Sequence, residues 1–258
     1  MFEHRRQPLL SRAAFLQRAV RRQRGTTQKP MRNIIQISGI VDQEEAEMLI
    51  SCGVDWLGFP FRLAVHKEDL SEAEAAPIIK ALQPPHEAVL ITYLSKAEEV
   101  AALCYSLGVR TVQLHGDITL DQLKGVKTLL PGLSVAKSLI VREDNLSELE
   151  AAVRDFSPYV DAFITDTYDP ETGAVGATGK IHDWKASRRL VEISPRPVIL
   201  AGGLRPGNVA RAIREVRPAG VDSHTGVEGS DGRKDPQLVR AFVEQARRAF
   251  LTLELQTA

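Results

Sequence analysis

Cysteine is nearly absent from this chain of 258 residues, with only Cys52 and Cys104. Two cysteines make neither a disulfide framework nor a zinc set, and they suit a reducing compartment. No apolar run approaches the roughly 18 residues that a helical membrane span requires, so no membrane partner is expected. Net charge is missing too: 33 Lys plus Arg balance 33 Asp plus Glu. That balance hides an asymmetry, because residues 1–30 hold eight bases (Arg5, Arg6, Arg12, Arg18, Arg21, Arg22, Arg24 and Lys29) against Glu3 alone. The remaining 228 residues carry 25 bases and 32 acids. An acidic body argues against nucleic acid as a partner, since phosphate backbones call for clustered Lys and Arg.

The basic leader interleaves Leu9, Leu10, Phe15, Leu16 and Val20 with arginines. It reads as a flexible tail or as sequence upstream of a true start at Met31, which opens directly onto the first strand-like run. An Arg-rich, acid-poor leader is also the composition of an organellar transit peptide. The expected location is therefore the cytoplasm, with an organelle as the alternative. Two segments follow: an extension at 1–30 and a single folded unit at 31–258.

Hydrophobic residues at 43% and charged residues at 26% are near the globular average, and the length suffices for a substantial core. From Asn33 onward, short β-branched and apolar runs alternate with helical stretches, the pattern of a parallel sheet with crossover helices. Eight strands are expected: Ile34 to Ser38, Val54 to Phe59, Ala88 to Tyr93, Thr111 to His115, Leu133 to Val141, Val160 to Asp166, Pro197 to Ala201 and Gly220 to Ser223. The helices between and after them fall at about 42–52, 71–83, 95–107, 118–130, 145–156, 183–193, 206–216 and 234–254. Eight β-then-α units predict an α/β fold, a single (β/α)8 TIM barrel, in preference to a doubly wound open sheet.

In such a barrel the chemistry sits at the C-terminal ends of the strands. Strand seven is followed by AGGLRPGNV, in which Gly202 and Gly203 permit close backbone approach before a helix whose positive end points back at them. Strand eight is followed by GVDSHTGVEG, where His224, Thr225 and Gly226 offer donors. Paired glycine-bearing loops at these two consecutive positions predict a phosphate site.

IIQISGI, GVDWLGFPF, VQLHG, ITDTYDPETGAVGATGKIHDW, AGGLRPGNV and GVDSHTGVEGSDGRKD, in this order over residues 33–258, resemble the motifs of the phosphoribosylanthranilate isomerase family of tryptophan biosynthesis. The resemblance implies an Amadori rearrangement that turns a phosphoribosyl amine into a 1-amino-1-deoxyketose. Such chemistry needs an acid at the ring oxygen and a base at C2. It implies no metal and no cofactor, because the substrate nitrogen supplies the electron sink. Asp166 matches the family's acid, at the end of an apolar strand where desolvation raises a carboxyl pKa.

At the base position the sequence departs from the family. The family's K-I-C-G run reads Gln36-Ile37-Ser38-Gly39, so Ser38 stands in the cysteine's place, and a serine hydroxyl needs a neighbouring base to activate it. The family's Ser-Pro-Arg run reads Val65-His66-Lys67, leaving Lys67, or Arg62 nearby, to meet the carboxylate of the non-sugar group. Gln113, His115, Asp222 and Lys137 complete the expected substrate site, with Lys137 taken as a basic residue of the barrel mouth. His115 and His224 are also candidate replacement bases. The expected partner is a phosphorylated sugar amine bound by a monomer or homodimer, with a changed amine as one consequence of the departures. A catalytically silent phosphosugar-binding homologue and another phosphate-anchored epimerase or lyase are the alternatives.

Overall fold

The computed structural model describes residues 31–63, 68–168 and 182–257. The basic leader, Val65 to Lys67 and the glycine-rich run after Tyr168 lie outside these residues. Eight parallel strands close on themselves in chain order, β1 (Ile34–Ser38), β2 (Trp56–Phe61), β3 (Glu87–Thr92), β4 (Thr111–Leu114), β5 (Ser134–Val141), β6 (Ala162–Thr167), β7 (Val198–Leu200) and β8 (Gly220–Ser223). The ring shuts where β1 pairs with β8, with Gln36 beside Asp222. Among the described residues eight helices alternate with them: α1 (Gln43–Ser51), α2 (Glu72–Ala81), α3 (Ala97–Leu107), α4 (Leu120–Leu129), α5 (Leu146–Phe156), α6 (Trp184–Ile193), α7 (Pro206–Val216) and α8 (Pro236–Thr257). This is the (β/α)8 barrel that the alternation predicts.

Local chemistry starts the helices where the strands hand over. Asp42 caps α1 by accepting from the Glu45 amide, Thr119 caps α4 through the Gln122 amide, and Ser71 and Glu74 form a reciprocal capping box on α2. Strand β2 begins and ends two residues later than expected. Val54 is spent on closing α1, its amide donating to the Leu49 carbonyl, while Asp55 meets the backbone of Ile35.

Strand pleating divides the buried residues into two sets. Ile35, Ile37, Leu57, Phe59, Leu90, Val112, Leu114, Val135, Phe163, Leu200 and Val221 face outward and form one core with the helices. Inside the ring, Trp56, Val89, Ile91, Ile164, Ile199 and Ala201 form a second, smaller cluster with Met31 and Ile34 against it. This apolar plug fills the lower part of the barrel, as layered packing of inward residues requires. Above it the inward positions turn polar. Among the described residues, no helix is long and apolar enough to cross a membrane.

Candidate active site

The polar upper interior is built from alternate positions of five strands. From β1 come Gln36 and Ser38, from β4 Gln113 with His115 just beyond it, from β5 Ser138, from β6 Asp166 and from β8 Asp222. All seven are buried. Buried polar groups must find partners, and these find one another. The Ser38 hydroxyl donates to Asp222 Oδ1 at 2.8 Å, and the Gln36 amide donates to Ser38 Oγ at 3.3 Å and to Gln113 Oε1 at 3.2 Å. Gln113 in turn donates to Ser138 Oγ at 3.3 Å, and the Ser138 hydroxyl sits 2.9 Å from His115 Nδ1. His115 Nδ1 is 4.0 Å from Asp166 Oδ2. One polar belt thus spans the barrel from Asp222 to the neighbourhood of Asp166.

Burial governs the electrostatics of both carboxyls. Desolvation pushes Asp166 up to about 6, opposed by the Thr167 amide, which donates to Oδ1 at 2.7 Å. Desolvation pushes Asp222 up to about 7; the Ser38 and Gln36 side chains and the charge of Lys234 pull it down, and the charge of Asp166 pushes it further up. Both values are raised toward neutrality and the charge of Asp166 acts on Asp222, so the two titrate as a coupled pair. Tyr93, whose ring lies 4.7 Å from that of His115, has its phenol pushed up by burial and by Asp166, and so stays a donor.

Ser38 has little room to move. A Cβ on Gly58 would lie 2.5 Å from Ser38 Oγ, so the glycine on the adjacent strand is what lets the hydroxyl occupy its place. Ser38 meets the requirement for an adjacent base, and the residue that meets it is Asp222.

The expected phosphate loops are brought together. Gly202 and Gly203 have φ of 97° and 61°, a backbone that favours glycine. Asn208, in the first turn of α7, accepts from the Arg205 amide and donates to the Gly203 carbonyl, which fixes the loop onto the helix start. That turn holds no acidic residue, leaving the positive end of the helix dipole unopposed. The β8 loop locks onto the β7 loop: Ser223 Oγ donates to the Leu204 carbonyl at 2.8 Å, and a Cβ on Gly226 would fall 1.8 Å from that same oxygen. Thr225 and Gly226 lie in the short 3-10 turn Thr225–Val227 that follows His224.

Four expected residues fare differently. Lys137 stands between Ala136 and Ser138, and since Ser138 points inward Lys137 takes the opposite face of β5. It does not line the mouth; its ammonium donates to the carbonyls of Gly116 at 3.1 Å and Ser138 at 3.0 Å, bracing the segments that carry His115 and Ser138. Burial brings its pKa down to about 8, with Asp117 opposing. Arg62, at φ 58°, is exposed at the rim with its guanidinium held by Glu72 at 2.6 Å. Lys67 lies outside the described residues. His224 Nε2 is 3.4 Å from Glu228, which also accepts from the buried Lys234 at 2.6 Å, and the His224 ring packs on Gly39.

The chain matches the N-(5'-phosphoribosyl)anthranilate (PRA) isomerase family over residues 35–245. It is 39% identical over 217 residues to N-(5'-phosphoribosyl)anthranilate isomerase 2 of Methanosarcina mazei, an alignment that covers 84% of this chain and 95% of that one. Its fold superposes on the crystal structure of phosphoribosyl anthranilate isomerase from Thermotoga maritima with a TM-score of 0.71, at 28% identity and with 83% and 98% of the two chains covered. A crystal structure of a phosphoribosyl anthranilate isomerase in complex with reduced 1-(o-carboxyphenylamino)-1-deoxyribulose 5-phosphate matches with a TM-score of 0.69, at 26% identity and with 83% and 98% covered. A closed barrel, a phosphate-type loop pair and two buried carboxyls thus coincide with matches in sequence and in fold, and the chain belongs to the PRA isomerase family of enzymes.

Proposed function

We propose that this protein isomerises N-(5'-phosphoribosyl)anthranilate to 1-(o-carboxyphenylamino)-1-deoxyribulose 5-phosphate, acting in the cytoplasm as a monomer or homodimer. One observation carries the reading: a buried carboxyl raised by desolvation to about 6, Asp166, stands across the barrel mouth from a hydroxyl–carboxyl pair, Ser38 with Asp222, beside the phosphate-type loop pair. Asp166 on β6 stands three strands around the ring from Ser38 on β1, which suits an acid and a base that act on opposite sides of a sugar.

The loops around Gly202, Gly203, Thr225 and Gly226 hold the 5'-phosphate through backbone groups and the α7 dipole, with His224 at their edge. Asp166 gives its proton to the furanose oxygen as the nitrogen lone pair expels it, leaving an open-chain iminium. The C2 proton then leaves toward Ser38. The electron pair of that C–H bond forms the C1–C2 double bond, and the iminium pair returns to nitrogen. Ketonisation of the enol moves a proton to C1 and completes the isomerisation.

A changed amine would follow from Val65, His66 and Lys67, and the names of the relatives favour anthranilate instead. Lys67 and Arg62 are the cations nearest in sequence to that end of the substrate. An assay that generates the substrate in situ and follows loss of its fluorescence tests the proposal. Turnover that Asp166→Asn abolishes supports it; no turnover by a protein that still binds the reduced product analogue overturns it in favour of a silent phosphosugar-binding homologue.

A further inference from the structure

Where the family resemblance places a cysteine, this chain has a hydroxyl that cannot itself hold a negative charge near neutrality. The arrangement around it is directional. Ser38 Oγ accepts from the Gln36 amide and donates to Asp222 Oδ1 at 2.8 Å, so the hydroxyl proton is already aimed at a carboxylate and one oxygen lone pair is left for the mouth. Gln36 cannot turn away, since the same amide nitrogen is held by Gln113. Gly58 closes the other side of the oxygen. A serine whose own proton is aimed at a carboxyl oxygen while one lone pair stays open to the mouth is built to pass a proton on.

We propose that Asp222 is the final acceptor of the C2 proton, taking it through Ser38 in place of the family's thiol. The inference rests on the isomerase reading above. As the C2–H bond breaks, its proton joins Ser38 Oγ while the Ser38 hydroxyl proton moves to Asp222 Oδ1, so the serine is neutral before and after. The carboxylate becomes a carboxylic acid; on ketonisation that proton returns through Ser38 to C1 while the enol O–H proton goes to Asp166, so both carboxyls are reset and no co-reactant is needed. Asp222 is thus a positioning and proton-storing residue that acts through Ser38. The charged groups that act on its ionisation are Asp166 across the mouth and Lys234, whose ammonium pairs with Glu228, itself 3.4 Å from His224.

A four-variant comparison separates this role from simple substrate contact or scaffolding. The full-length protein is assayed as wild type, Asp222→Asn, Ser38→Cys and the double variant, with kcat and KM measured from pH 5 to 9. A thiol is a competent base on its own, so it frees the reaction from Asp222. In the serine background Asp222→Asn is expected to lower kcat about 10³-fold with KM within a few-fold, and to erase the acidic limb of the kcat profile. In the cysteine background the same substitution is expected to cost about tenfold or less, which also shows that a chain carrying Asp222→Asn folds. Equal losses in the two backgrounds, or a serine-background protein indifferent to Asp222→Asn, overturn the relay while leaving the isomerase reading intact. Wild-type protein without turnover removes the reading on which the relay rests.

Discussion

Asp166 and Asp222 are buried to the same extent at the same end of the same barrel, and they keep different company. Asp166 lies 4.0 Å from His115, whose ring packs on that of Tyr93, and has a backbone amide as its donor. Asp222 lies against a hydroxyl, a carboxamide and the field of a buried ammonium. Desolvation raises both, so burial alone cannot assign roles. The neighbours do: a wall with one backbone amide as donor suits a carboxyl that gives up a proton, and a wall of aimed side-chain donors suits one that takes a proton.

The sharpest way to break this contrast is to remove one carboxyl while varying the other wall. Asp166→Asn is expected to lower kcat by about 10³-fold whether residue 38 is serine or cysteine, because protonation of the ring oxygen does not pass through Ser38. Retention of more than a tenth of the activity in either background, measured at saturating substrate, would remove Asp166 from the acid role. Gly58→Ala disturbs the Ser38 wall by crowding Oγ, and presses on Ile91 of the inner cluster as well. A loss of kcat on the order of 10²-fold is expected from the displaced hydroxyl, with the alkaline limb of the pH profile unmoved. On the opposite wall, Ser138→Ala frees His115 Nδ1 to turn toward Asp166. That predicts a milder loss, about tenfold, and an alkaline limb shifted to lower pH as the carboxylate gains a donor.

The smallest effect is on stability, and there the two walls should agree. Both carboxyls have folded-state values above the ordinary range, so the stability they contribute is fully present below about pH 4 and is lost as the pH rises through 6 and 7. The buried charges then cost roughly 3 to 4 kcal/mol each at pH 8. Either Asn variant should therefore melt above the wild type at pH 8, by about 5 °C or more, and close to it at pH 4. Calorimetry at the two pH values checks this, and a wild type that melts higher than both variants at pH 8 would contradict it.

The barrel is legible in the sequence because alternation of apolar runs and capped helices is a local property, repeated eight times. Strand ends are less so: β2 lies two residues later than its apolar run because Val54, although buried, serves the turn before it. Asp166, His115, Gln113 and the phosphate-type loops can be named from position and motif. The face occupied by Lys137 is also readable, by parity with Ser138, yet its charge suggests the mouth. The bond between Ser38 and Asp222 is not readable, since it joins side chains 184 residues apart whose register only ring closure determines.

That closure has a consequence for how the molecule comes into being. Ser38 lies on the first strand to leave the ribosome and Asp222 on the last, and their hydrogen bond crosses the seam where the two ends of the barrel meet. A nascent chain that has built seven strands already owns Asp166 and the whole Gln113–His115 wall, yet it has no proton acceptor behind its serine. Turnover is thus a reporter of completed folding, and a circular permutant that joins β8 to β1 covalently would turn the last-formed junction into a local one.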